Sequence, residues 1–105
     1  MKVSGALAFA VLCAMSAALG QNVASITQVG RAFHPGEITI SRGETLTVSN
    51  RDDFIHQIYI KSDLMSFDSD EQPPGEMIRV TFPTAGTFEV RCHIHPKMSL
   101  VVHVR

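Results

Sequence analysis

The chain has 105 residues, with nine basic and ten acidic side chains and a net charge of −1. So even a balance gives no electrostatic argument for nucleic acid or an acidic membrane surface as a partner. The length is that of one small domain.

The first twenty residues, MKVSGALAFAVLCAMSAALG, read as a secretory leader. They carry a single Lys2, an apolar run from Ala6 to Ala18, and small residues Ala18 and Gly20 where a signal peptidase would cut. A membrane anchor is the alternative, but roughly 20 strongly apolar residues are needed to span a bilayer, and this run is shorter and rich in Ala and Ser. Lipid attachment at Cys13 is set aside, because Leu12 before it is bulky and few apolar residues precede it. The expected division is therefore a leader over residues 1–20 and an exported domain over residues 21–105. With Lys2 gone, the exported part has eight basic against ten acidic side chains and one cysteine, Cys92, so an intramolecular disulfide is impossible. A domain this small, in an oxidising compartment and without a disulfide, must be held by its core, a metal, or both. A lone thiol there is a liability unless something keeps it as a thiolate.

From residue 21 onward the pattern is short, β-branched and alternating. A first strand is expected around SITQVGRAF. EITI (Glu37–Ile40) follows, then the turn SRGE, then TLTVSN (Thr45–Asn50) with Leu46 and Val48 on one face. HQIYIK, starting at His56, alternates through Ile58 and Ile60. SDLMSF offers at most one helical turn, and SFDSDEQPPGE reads as a polar loop. MIRVTF (Met77–Phe82), the turn PTAG, TFEVRC (Thr87–Cys92) and SLVVHVR complete the chain. About seven strands joined by turns predict an all-β antiparallel sandwich or barrel. The expected core is Ile26, Phe33, Ile38, Ile40, Leu46, Val48, Ile58, Ile60, Ile78, Val80, Phe82, Phe88, Val90, Val101 and Val104.

The chemistry gathers in CHIHPKM, between the last two expected strands. The spacing Cys-x-x-His-x-x-Met lets a tight loop turn Cys92, His95 and Met98 toward one point, and His56, at the start of its own strand, can sit at the same end of a sandwich. One thiolate, two imidazoles and a thioether match copper: a trigonal His₂Cys plane with a weak axial Met is an electron-transfer geometry. Zinc accepts His₂Cys but gains little from a thioether, and magnesium or calcium is excluded by ligand type.

On these residues the segment Phe33 to Arg105 resembles the cupredoxins, the small blue copper proteins, and looks most like the amicyanin group, with pseudoazurin and plastocyanin types more distant. NRDDFIHQI resembles the junction holding the N-terminal histidine ligand, GTFEVRCHIHPKM the strand and ligand loop of the short-loop members, and FHPGEITISRGETLTVSN, more loosely, two early strands. The resemblance implies a cupredoxin-like Greek-key β-sandwich, one type 1 copper ion, His56, Cys92 and His95 as equatorial ligands and Met98 as the axial one. It further implies a non-enzymatic, monomeric periplasmic carrier of single electrons, with a redox partner such as a c-type cytochrome or a periplasmic oxidoreductase.

Two departures stand out. The family often has proline before each ligand histidine, where this chain has Ile55 and Ile94. Proline lacks an N–H, so Ile94 is expected to supply a second N–H···S bond to Cys92. His93, directly after the cysteine, is expected to face away from the metal, since neighbours on a strand point oppositely. Its other reading is an additional ligand. His34 is expected in a loop, where a second metal is its other reading, and His103 on a strand face. Pro96, Ile94, Phe54 and Met65 are available for an apolar patch around His95. The acidic loop, with Asp68, Asp70, Glu71 and Glu76, would suit a basic partner, and Lys97 an acidic one. The competing reading is a copper-handling protein that binds, delivers or sequesters the metal, with Met65, Met77, His34 and His93 as auxiliary donors. A copper enzyme with an open coordination position and a metal-free interaction module rank behind it.

Overall fold

The computed structural model describes residues 24–105; the expected leader lies outside the described residues. The alternating segments form nine strands: β1 (Ala24–Gln28), β2 (Phe33–His34), β3 (Glu37–Ile40), β4 (Thr45–Asn50), β5 (Ile58–Lys61), β6 (Ser66–Asp68), β7 (Met77–Thr81), β8 (Gly86–Cys92) and β9 (Ser99–Val104). They pack as a β-sandwich of two sheets, ordered β2-β1-β4-β7 and β3-β9-β8-β5-β6. The expected count of seven is low by two. The segment SITQVGRAF breaks at a turn through Gly30 and Arg31, both at positive φ, closed by Val29 N–H donating to Ala32 O. The polar loop contains β6, which pairs with β5, and no helical turn forms at SDLMSF. The sheets are also mixed rather than purely antiparallel, because β1 runs parallel to β4 and β3 parallel to β9.

The alternation in the sequence sets which face is buried. Along β4, Leu46, Val48 and Asn50 point inward while Thr45, Thr47 and Ser49 are half-exposed. Phe82, after β7 in one sheet, meets Phe88 of β8 in the other, with ring centroids 5.6 Å apart, so aromatic contact joins the layers. Between β3 and β4, Gly43 takes φ +85° and Glu44 N–H donates to Ser41 O, a tight turn that suits glycine at its third position.

The last strand corrects one expectation. Leu100, Val102 and Val104 are buried, and Val101 is only half-buried. The run LVV has no alternation of its own, so the partner strand decides. In the β8–β9 register Leu100, Val102 and Val104 lie opposite Val90, Phe88 and Gly86, whereas Val101 lies opposite the exposed Glu89. Ile38 and Ile78 are partly buried against the core, and the other expected core residues are buried.

This register predicts unequal truncations. Leu100→Ala should cost about 2–5 kcal/mol of stability by leaving a cavity in the core, and Val101→Ala less than about 1 kcal/mol. Denaturant unfolding of the metal-free protein measures both; equal costs would contradict the register.

Candidate metal centre

The ends of β1, β4 and β8 and the starts of β5 and β9 lie at one end of the sandwich. His56 reaches that end through a bridge: its N–H donates to Gln72 O (3.1 Å) and the Gln72 N–H donates to His56 O (2.7 Å). The His56 side chain is fully buried, and its Nε2 lies 2.8 Å from Asp52 Oδ2. The carboxylate accepts the Nε2–H, which leaves the Nδ1 lone pair facing inward. Cys92 ends β8, buried, with Sγ 3.6 Å from that Nδ1. His95 opens a turn that Met98 closes: Met98 N–H donates to His95 O at 3.0 Å, with Pro96 in the second position, where its fixed φ favours the turn.

Donor atoms of His56, Cys92 and His95 all lie within 4.8 Å of one another. His95 Nδ1 is buried and has no hydrogen-bond partner. A buried, unpartnered nitrogen costs free energy unless something binds it. A metal ion at that point would do so, and a His₂Cys donor set suits copper. Desolvation, followed by the nearby charges of His56 and Arg31, pushes the His95 pKa below its ordinary value, against an opposing effect of Asp52. The ring is therefore neutral at neutral pH, the form that can donate a lone pair. For Asp52, burial opposes ionisation. Hydrogen bonds from His56 and from the backbone N–H groups of Gly30 (2.6 Å) and Arg31 (3.2 Å) outweigh it and hold the carboxyl below its ordinary range.

Three aromatic rings pack here. Phe54 meets His95 edge-on at 5.0 Å and His56 at 5.3 Å, and the two histidine rings are 5.1 Å apart. Met98 is 2% exposed and, with Arg31, Ile94, His95, Pro96 and Lys97, lines a surface cavity of about 370 Å³. Met65 packs elsewhere, against the core, so it is not part of this patch.

The remaining candidates stand apart from the cluster. His93 is exposed, its Nε2 3.0 Å from Asp68 Oδ2 and its ring stacked on Tyr59 at 3.9 Å, turned away from Cys92 Sγ as expected. His34 Nε2 contacts Val29 O at 3.1 Å, and His103 bonds Glu37 and Thr87 near the far end of β9. Met77 is 58% exposed. These donors do not converge, which weakens the copper-handling reading. The expected Ile94 N–H···S bond is absent among the described residues. The N–H reaching Cys92 Sγ is that of Gln57, at 3.4 Å. Gln57 lies beside Cys92 across the β5–β8 pairing, and nothing in a linear motif marks that neighbour.

Sequence reasoning also missed Asp52, Asn50 and Gln72. Asn50 Nδ2 donates to Phe54 O and Gln72 O, and Asp52 N–H donates back to Asn50 Oδ1. Gln72 Nε2 donates to Val48 O and Glu76 O, while Gln28 Nε2 donates to Gln72 Oε1 at 2.8 Å. Asp52 alone had a sequence signal, its place four residues before His56.

The family profile described as a cupredoxin-like domain matches residues 3–102. A plastocyanin from Solanum crispum is 31% identical over 90 residues, 69% of this chain and 84% of that protein. A plastocyanin from Scenedesmus fuscus is 34% identical over 79 residues, 60% of this chain and 74% of the other. The chain spans only 43% of the chloroplastic plastocyanin of Physcomitrium patens. Among solved structures, a reduced Cu(I) amicyanin variant superposes with TM-score 0.74 at 20% identity, over 86% of this chain and 89% of that one, a likeness of fold alone. A copper-containing nitrite reductase from Thermus scotoductus SA-01 reaches TM-score 0.74 at 26% identity, over 83% of this chain but 23% of that one.

Removing the carboxylate that orients His56 should weaken metal binding. Asp52→Ala is expected to lower copper affinity about 10–100-fold, as for other partners of ligand histidines. Competition with a chelator measures it, and an unchanged affinity would show that Asp52 does not orient the ligand.

Proposed function

The chain belongs to the cupredoxin-like family, and from that footing we propose that it is an exported type 1 copper protein carrying single electrons between redox partners. The observation that carries this reading is the convergence of one sulfur and two imidazoles within 4.8 Å, with His95 Nδ1 buried and unpartnered. His56, Cys92 and His95 are read as the equatorial ligands and buried Met98 as the weak axial donor. Copper held there supplies a one-electron Cu(II)/Cu(I) couple.

Each surrounding group has a stated part. Asp52 accepts the His56 Nε2–H and so fixes its tautomer and ring plane. The Gln57 N–H stabilises negative charge on Cys92 Sγ. Phe54 packs against both histidine rings, and Met98 is buried. Because His56 and Cys92 are anchored by paired backbone and His95 by a proline turn, the donors are in place before the metal arrives. Small rearrangement on gaining or losing an electron means a small barrier. His95 is the one member of the trio that is not fully buried, and it is the ligand a docked partner would meet.

Residues 1–20 are read as a leader that sends the domain to the periplasm. No helix among the described residues is long and apolar enough to cross a membrane. A monomer exchanging electrons with a c-type cytochrome or a periplasmic oxidoreductase fits the small face around His95. The Solanum crispum plastocyanin and the amicyanin variant, which align over 84% and 89% of their own lengths, favour a carrier over an enzyme.

One equivalent of Cu(II) added to the purified exported domain should give an intense thiolate-to-copper absorption band and a narrow copper hyperfine splitting, both lost in Cys92→Ala. A weak, tetragonal-type spectrum that survives Cys92→Ala would remove the electron-transfer reading.

A further inference from the structure

The surface around His95 carries a charge pattern that the metal site does not require. Arg31 sits at the tip of the β1–β2 turn at φ +57°, held there by its N–H and that of Gly30 on the Asp52 carboxylate. Its guanidinium lies 4.9 Å from the centroid of Phe54, the ring that packs on His95. Lys97, in the Pro96 turn, lines the same cavity as Arg31. The rest of the lining is Ile94, His95, Pro96 and Met98, with Ile94 43% exposed. Neither Arg31 nor Lys97 has an ion-pair partner among the described residues, and residues 1–23 contain no acidic side chain.

No acidic residue lines this cavity. Asp52, close behind it, spends its charge on His56 and two backbone N–H groups. Of the acidic segment, Asp68 is bonded to Gln57 and His93. The net charge is negative, but at physiological salt exposed charges more than about 8 Å apart are largely screened, which favours the two cations that line the cavity.

We propose that this face docks a redox protein whose exposed cofactor edge is ringed by carboxylates, Arg31 and Lys97 meeting the ring while Ile94, Pro96 and the His95 edge meet its apolar centre. The inference rests on the electron-carrier reading and names the partner's chemistry. A bare small anion fits poorly, because it would leave the apolar part of the lining, Ile94, Pro96 and Met98, uncovered. A transient protein interface has the required form, an apolar middle with a charged rim that steers approach.

The test uses the reduced, copper-loaded, ¹⁵N-labelled protein and two redox-inert paramagnetic probes: tris(oxalato)chromate(III), a carboxylate-bearing anion, and hexaamminechromium(III), a cation. The anion should broaden the amide resonances of Arg31, Ile94, His95 and Lys97, and the cation should leave them sharp. Reversing both charges, Arg31→Glu with Lys97→Glu, should weaken the anion's effect about tenfold, as expected for two exposed pairings. Arg42→Glu, in the β3–β4 turn at the far end, makes a charge change of the same kind and should leave it intact. Broadening by the cation at this face, broadening by the anion elsewhere, or equal loss in Arg42→Glu would overturn the proposal. So would saturation by free oxalate at micromolar concentration, which would mark a small-anion pocket. Electron exchange between the same protein and ferricyanide separates the two readings. Rapid exchange without anion binding at this face overturns the docking surface alone, whereas binding without exchange overturns the electron-carrier reading and the redox identity of the partner with it.

Discussion

The contact on which this end of the molecule depends is the Asp52 carboxylate. One oxygen accepts from Gly30 N–H; the other accepts from His56 Nε2–H and Arg31 N–H. A carboxylate with almost no solvent access would ordinarily be costly, and three donors make it stable as an anion. In return it ties the β1–β2 turn to the loop after β4 and fixes which imidazole nitrogen faces Cys92. The His56 tautomer and the position of Arg31 beside Phe54 are thus set by one group.

Behind that carboxylate lies a buried polar layer of Gln28, Asn50 and Gln72. Amide side chains inside a β-sandwich are favourable only when their groups are satisfied, and here every amide N and O but Gln28 Oε1 has a partner. Here they span breaks in the ladders: Asn50 reaches the irregular loop carbonyl of Phe54, and Gln72 reaches Val48 and Glu76. Loops would otherwise leave carbonyls exposed to an apolar interior. The layer therefore lets irregular chain approach the core closely enough to place His56 beside Cys92, which regular strands alone would not do.

Much of this was legible in the sequence, for reasons that differ by residue. EITI and TLTVSN alternate cleanly and are flanked by turn residues, so β3 and β4 carry the bounds the pattern predicts. The ligand loop is contiguous, so Cys92, His95 and Met98 could be grouped by spacing alone. The LVV run in β9 could not be phased, because every residue in it suits either face and only pairing with β8 chooses. Likewise β6 is only three residues, two of them polar, made a strand by pairing with β5. Gln57 and Gln72 act through backbone groups and cross-strand neighbours, which a reading along the chain does not join to the site.

The absence of prolines at Ile55 and Ile94 bears on the site differently from the expectation drawn for Ile94. Among the described residues only one backbone N–H, from Gln57, reaches the sulfur, and it comes from the residue before β5 rather than from the Cys92–Met98 loop. Ile94 instead turns an apolar side chain outward, 43% exposed, beside the His95 ring. What isoleucine in place of proline supplies at this position is surface, a broad aliphatic group lining the same cavity as Arg31 and Lys97. Hydrogen bonding to the Cys92 sulfur is then set by the pairing of β8 with the chain entering β5, not by the residue before His95. The hydrogen bond to the sulfur and the apolar surface beside His95 are thus carried by different elements, so that on the electron-carrier reading proposed above a change in one need not disturb the other.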